Sequence, residues 1–407
     1  EAGPLPPDRV AWNVIRHWPR SALRRRLVLV LAILAATTAA TFFLVPRTAA
    51  GPGPLPGRTA TVGPGLEQGV RLGDVDRIYL SDEVVMYLRT EGPGMDVPPV
   101  HLRGAVYQRY SDSRWTQGPE ARWGAPFASA PPPPQDDPRG FVVQHVSMRP
   151  SLLPVVYATY PAVGVRTEAG RVRHNGVLSA QIVADDRGEG PVRYTATSWP
   201  RPLNRRQKQY LALLRRVPGS QFATASPDVE VRPRVRELAR QWCSDLLVDG
   251  RDASDLAIAR RLASRLRREY AYTLDLSKTD PDRDGVEDFL FHTRRGHCEY
   301  FASAMAVMCN ALDVRARLAV GFLADERDTL TGQYVVRGRD AHAWVEVFTP
   351  ETDWVVFDST PGGFEEQTPS GLRERLRGFW SSLQFAWYDR VVGFDAEVQK
   401  ALARRLW

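Results

Sequence analysis

The hydrophobic period of the chain changes twice, at Pro200 and again near Arg315, and this pattern limits the folds open to it. Before Pro200, "VVMYLRT" (84–90), "GFVVQHVSM" (140–148) and "PVRYTATSW" (191–199) alternate apolar and polar residues, the period of half-buried strands. "RVRHNGVLSAQIV" (171–183) sets Asn175-Gly176 between two such runs, a strong short-range hairpin signal. "PPPPQDDP" (131–138) reads as a loop. After Pro200, "DVEVRPRVRELARQWCSDLL" (228–247) and "DASDLAIARRLASRLRREY" (252–270) carry apolar residues three and four apart and predict amphipathic helices. A third helix is predicted to open near Cys298 and to end before Val314. "RARLAVGFL" (315–323), "GQYVVRG" (332–338), "DAHAWVEVFT" (340–349) and "DWVVFDST" (353–360) then read as four consecutive strands. Helices followed by a run of strands imply an α+β domain, not a parallel α/β one, preceded here by an antiparallel β domain.

"LVLVLAILAATTAATFFLV" (27–45) holds nineteen residues without a charge, long enough to cross a bilayer core. Arg16, Arg20 and Arg24–Arg26 precede it, so the positive-inside rule puts the N-terminus in the cytoplasm and everything after Val45 outside. A cleavable signal peptide is the competing reading, with a shorter apolar core. The expected organisation is a cytoplasmic basic flank (1–26), a transmembrane helix (27–45), a Pro/Gly-rich linker (46–75), the β domain (76–200), the α+β domain (201–363) and an amphipathic helical segment (364–407). The last carries Phe379, Trp380, Phe385 and Trp387 on one face and arginines opposite; lying on a membrane surface and packing on the core fit it equally.

The formal net charge of +7 comes almost wholly from arginine, with lysine only at Lys208, Lys278 and Lys400. Its densest cluster, Arg24–Arg26, abuts the apolar run instead of interleaving with aromatics, which argues against a nucleic-acid partner and for a membrane flank. Three cysteines (Cys243, Cys298, Cys309) have no CxxC spacing and are too few for a disulfide scaffold. Cys243 and Cys309 read as small core residues.

Cys298 does not. "GHCEYFASAMAVMCNALDV" (296–314) puts it at the first turn of a helix, where unpaired N–H groups and the helix dipole favour a thiolate. Gly296 permits a sharp turn and leaves room for a substrate chain, and Ala302, Ser303, Ala304 and Ala306 allow close packing behind the thiol. A nucleophile needs a base, and the base needs an orienting partner. Strand alternation puts His342, Trp344, Glu346 and Phe348 on one face, and Asp358 ends the next strand, where an antiparallel neighbour brings a carboxylate towards an imidazole. Cysteine, then histidine about forty residues on, then aspartate, is the order of thiol acyl-transfer sites. His297 reads as a cleft wall, not the base. "DPDRDGVED" (280–288) has the first acidic positions of a calcium loop, but Phe291 stands where such a loop needs a bidentate Glu, so an acidic surface turn is the preferred reading. Neither a metal nor another cofactor is called for.

"GHCEYFASAMAVMCNALDVRARLAVGF", "DAHAWVEVF" and "WVVFDSTP" together resemble the three blocks of the transglutaminase core, a papain-like Cys/His/Asp superfamily, and "HLRGAVYQRYSDSRW" (101–115) and "YAYTLDL" (270–276) extend the likeness. The subset most similar is the bacterial membrane-anchored transglutaminase-like proteins, in which several spans precede an extracytoplasmic catalytic domain and one follows it. The likeness covers roughly residues 76–400, and this chain with its single apolar run is expected to be part of a longer protein or a divergent member. The resemblance implies Cys298 as nucleophile, His342 as base and Asp358 as orienting acid, acting through a thioester on a glutamine carboxamide of a protein or peptide. Backbone N–H groups at the helix start are natural oxyanion donors, with Tyr272 and Trp344 as side-chain candidates. A cysteine protease or amidase on the same three residues, and a non-catalytic peptide-binding or assembly module, remain as alternatives.

Overall fold

The computed structural model describes residues 25–34, 37, 69–72, 82–92, 99–117, 125–126, 140–149, 155–167, 171–174, 180–183, 191–214, 226–247, 254–276, 280, 282–328 and 331–361. The linker apart from 69–72, the Asn175-Gly176 turn, the proline run and the 364–407 segment lie outside the described residues, as does the apolar run apart from 27–34 and 37. Those residues of the run are helical, with Leu27–Leu31, Ile33 and Leu34 exposed. Among the described residues no helix is long and apolar enough to cross a membrane.

Residues 59–389 form one compact unit. Its two main sheets are antiparallel. One has the order Tyr334–Arg337, Val84–Glu91, Val142–Met148, Val192–Ser198, Ala162–Thr167; the other runs Asp353–Phe357, Ala341–Thr349, Ala316–Ala324, Val100–Tyr107. The sheets therefore exchange strands across Pro200. Val100–Tyr107, from the N-terminal region, pairs with Ala316–Ala324, while Tyr334–Arg337 pairs with Val84–Glu91. Gly321 permits the first exchange, because a Cβ there would stand 2.0 Å from the Leu102 carbonyl oxygen. The Arg171–His174 and Ala180–Val183 strands pair as the hairpin pattern predicts.

The cysteine helix, Cys298–Ala311, is buried almost all round, from Tyr300 to Cys309. Its small residues let it sit between the second sheet and two helices, Pro233–Trp242 and Asp255–Glu269. Asn310 Nδ2 closes its far end, donating to the carbonyls of Ala306 and Ala316 at 2.8 Å each. Ser254 caps the Asp255–Glu269 helix, and Ile258, Ala259, Leu262 and Leu266 face the core. The helix predicted over 228–247 is shorter than expected. It begins at Pro233, which has no N–H to give and pushes the residue before it out of helical geometry. Asp228 and Val229 pair instead, parallel to Arg109 and Tyr110.

Candidate active site

The cysteine helix starts where two short strands set it. Ala271–Tyr272 pairs parallel with Arg295–Gly296, and Thr273 N donates to the Gly296 carbonyl at 2.9 Å. Gly296 is needed for a reason the sequence hid: a Cβ there would lie 2.8 Å from the Tyr300 Cβ. His297 is the N-cap. Its Nδ1 accepts from Glu299 N at 3.4 Å, and burial lowers its pKa to about 4, so the ring stays neutral and serves the helix end. It is a structural cap.

Cys298 follows as the first helical residue, partly exposed, whereas Cys243 and Cys309 are buried. Burial pushes the Cys243 thiol up to about 11 and raises that of Cys309 further, which keeps both protonated and inert. Beside Cys298 lies His342, the second residue of the Ala341–Thr349 strand, with the thiol in hydrogen-bonding reach of its imidazole. His342 Nε2–H donates to Asp358 Oδ2 at 2.7 Å, which leaves Nδ1 for the sulfur. Burial alone would lower the pKa of His342. The hydrogen bonds to Asp358 and Cys298, with the negative charge on both, outweigh it and lift the value to about 10. An imidazolium beside a thiolate is the form these contacts favour.

Asp358 stands one residue past the Asp353–Phe357 strand and is buried. Burial would raise its pKa; the bonds to His342 and Thr360 and the imidazolium charge hold it below the ordinary carboxylate range. Thr360 N donates to Oδ1 at 2.8 Å, so both oxygens are engaged. Arg267, on the Asp255–Glu269 helix, donates to the Asp358 main-chain carbonyl and fixes the strand end. The fold thus brings all three sequence-predicted residues together.

The two oxyanion candidates part company. Tyr272 is 44% exposed, and burial of its hydroxyl, then the charges of Cys298 and Asp358, raise its pKa. Trp344 is buried, in an apolar cluster with Val106, Trp199 and Ala319. Its ring stacks at 6.4 Å on His342 and meets His101 edge-on at 5.1 Å. His101 was not singled out from the sequence: it comes from the exchanged Val100–Tyr107 strand, and burial, with the charge of His342, lowers its pKa to about 4. Polar alternation in "VHLRGAVY" marks its face but not the site that face meets. Further along the same face, buried Glu346 binds Arg317 (2.6 and 2.9 Å) and Arg103 (3.3 Å).

Four of the five carboxylates of the acidic turn at 280–288 have protein partners, inside the turn or beyond it. Asp280 accepts from Asp282 N, Asp284 caps the Gly285–Asp288 turn and accepts from the Tyr110 hydroxyl at 2.8 Å, and Arg283 pairs with Asp280 and Asp288. Among the described residues no group of side chains could hold a metal ion.

Residues 245–359 match the transglutaminase-like superfamily, and residues 8–204 match the TgpA N-terminal domain. The chain carries a transglutaminase-like core and a TgpA N-terminal domain. Its transglutaminase-like core holds Cys298, His342 and Asp358. A protein-glutamine gamma-glutamyltransferase of Pseudomonas aeruginosa is 27% identical over 380 residues, covering 86% of this chain and 52% of that protein. An uncharacterized protein, YebA, of Bacillus subtilis is 39% identical over 85 residues, 20% of this chain and 12% of the other. The chain therefore spans about half the length of the first relative and less of the second. The crystal structure of the periplasmic domain of TgpA from Pseudomonas aeruginosa is 26% identical, with a TM-score of 0.51, covering 72% of this chain and 93% of that domain.

Proposed function

We propose that the protein is a membrane-tethered thiol acyltransferase of transglutaminase type, working outside the cytoplasm with Cys298 as nucleophile, His342 as acid–base and Asp358 as its orienting partner. The observation that carries this reading is the 2.7 Å bond between His342 and Asp358 beside a helix-start thiol in reach of the imidazole. The thiolate attacks the carboxamide carbon of a protein or peptide glutamine. Main-chain N–H groups at the helix start, Cys298's among them, receive the developing oxyanion, and Tyr272, half exposed and with a hydroxyl that feels the Cys298 charge, is the side-chain donor. The C–N bond breaks as His342 gives its proton to the leaving nitrogen, and ammonia departs from a thioester. A primary amine then loses a proton to His342 and attacks, releasing the thiolate; water in its place gives hydrolysis.

The exposed apolar side chains of Leu27–Leu34 behind Arg24–Arg26 support the tether. Likeness to a periplasmic domain supports the compartment. Incubating the full chain with a glutamine-bearing protein and a fluorescent primary amine tests the chemistry. Label incorporation that disappears in Cys298→Ala is expected. No incorporation by the wild type, with new peptide termini appearing instead, would replace transfer by peptidase action.

A further inference from the structure

A cavity of about 390 Å³ opens beside Asp358, and neither acyl transfer nor the Cys298–His342 pair uses it. One wall is the Asp255–Glu269 helix, which presents Arg260, Ala263 and Arg267, spaced three and four apart on a single face. His101 closes another side, and Val356 and Phe357 form an apolar stretch, with Val356 40% exposed.

The charges in this wall do not balance. Both oxygens of the Asp358 carboxylate are engaged, by His342 and by Thr360 N. His101 is held neutral by burial. Arg267 spends one N–H on a main-chain carbonyl, and Arg260 makes no hydrogen bond or ion pair with another described residue. Two arginines therefore line the space with one committed carboxylate, and arginine's planar fork suits a carboxylate. The nearby aliphatic and aromatic surface suits the stem that carries it.

We propose that this cavity is a subsite for a carboxylate of the glutamine-bearing peptide, gripped by Arg260 and Arg267. The inference rests on the acyl-transfer reading and narrows its substrate to acidic peptides. Two hydrogen bonds and one imidazole separate the cavity edge from the sulfur, on the order of 8 Å. At about 3.4 Å per extended residue, the carboxylate belongs two or three positions from the reactive glutamine.

The experiment separates binding from turnover. Fluorescein-labelled peptides carrying one glutamine, with aspartate or its neutral amide asparagine two or three residues away, are titrated by anisotropy against the full chain bearing Cys298→Ala. The same peptides are then assayed for amine incorporation by the wild type. The acidic peptide is expected to bind roughly tenfold tighter or better, the scale of one charge-assisted hydrogen bond. That advantage should shrink between about 50 mM and about 500 mM salt. Arg260→Glu should abolish it, whereas Arg205→Glu, the same charge change on an exposed residue outside the cavity, should leave it. Equal affinity for the two peptides, or an advantage that survives Arg260→Glu, overturns the subsite. Acidic preference in binding without any amine incorporation would sink the transfer reading and leave the subsite standing. A peptide whose only carboxylate is its C-terminus, compared with its amide, decides between a side-chain and a terminal carboxylate.

Discussion

Asp358→Asn removes the charge and turns one of the two acceptor oxygens into a donor, so it tests what the carboxylate does for His342. In the native site Asp358 accepts a 2.7 Å bond, with side-chain exposures of 11% for the histidine and 3% for the aspartate. A charge-assisted hydrogen bond exceeds a neutral one by about 1–2 kcal/mol, or roughly one pH unit. Unit charges about 4 Å apart attract by about 4 kcal/mol at the effective dielectric of protein sites, or about three pH units. Those two figures bracket the drop expected in the proton affinity of His342, which stands at about 10 in the native site. The assay is the pH profile of kcat/KM for amine incorporation between about pH 6 and about pH 10.5, whose alkaline limb reports loss of the imidazolium in the Cys298–His342 pair. A wild-type limb near pH 10 and a variant limb between about 7 and 9 are expected. A limb that stays in place when the carboxylate is gone refutes the proposition that Asp358 holds His342 protonated. The same elevation has a stability signature. The folded-state pKa of His342 lies above its ordinary 6.5, so its contribution is full below that pH and is lost as pH rises towards 10.

Three further outcomes follow from particular contacts. Glu346→Gln strands the buried Arg317 and Arg103 beside a neutral amide and should cost about 3–5 kcal/mol in urea unfolding; a loss under about 1 kcal/mol would mean the cluster relaxes freely. Glu299 is raised by burial from 4.5 to about 7, so it withdraws stability as pH rises through that interval, about 3 kcal/mol at most. Glu299→Gln should flatten the stability–pH curve there, and an unchanged curve would place the carboxylate in water. Tyr272→Phe should lower kcat about a hundredfold with KM nearly unmoved if the hydroxyl serves the oxyanion, and a change confined to KM would make it a wall of the cleft.

What the sequence discloses is what is local. The cysteine helix, the His342 strand and the Asp358 strand each carry their own period, and their order in the chain states the chemistry before any contact is known. Pro233 was equally visible, yet the apolar period around it outweighed its effect on the residues before it, and the predicted helix began five residues early. Partner choice among strands left no such trace. Val100–Tyr107 and Val84–Glu91 are both strands beside one another in the chain, but one belongs to each sheet. Nothing in an alternating pattern says which edge it will meet, because backbone pairing is indifferent to residue identity. His101 was hidden for that reason, being remote from His342 in sequence and near it only through the exchange. Gly296 and His297 show a subtler limit: their importance was legible, but their roles, crowding against Tyr300 and capping the helix, depend on where neighbouring side chains fall.

The exchange also bears on what the N-terminal β region is for. Val100–Tyr107 completes the edge of the catalytic sheet along Ala316–Ala324, the strand in which Gly321 lies opposite His342. Trp115 Nε1–H donates to Ser303 Oγ on the cysteine helix at 2.9 Å, inside the core. Tyr334–Arg337 runs the other way, leaving the catalytic segment between Ala316–Ala324 and Ala341–Thr349 to close the N-terminal sheet beside Val84–Glu91. A catalytic segment cut free at Pro200 would expose the unpaired edge of Ala316–Ala324, lose the edge-on contact of His101 with Trp344, and leave Tyr334–Arg337 without a partner strand. The region before Pro200 is therefore half of the scaffold that holds the thiol and imidazole in register. From residue 59 onwards, the TgpA N-terminal match and the transglutaminase-like match lie in one compact unit.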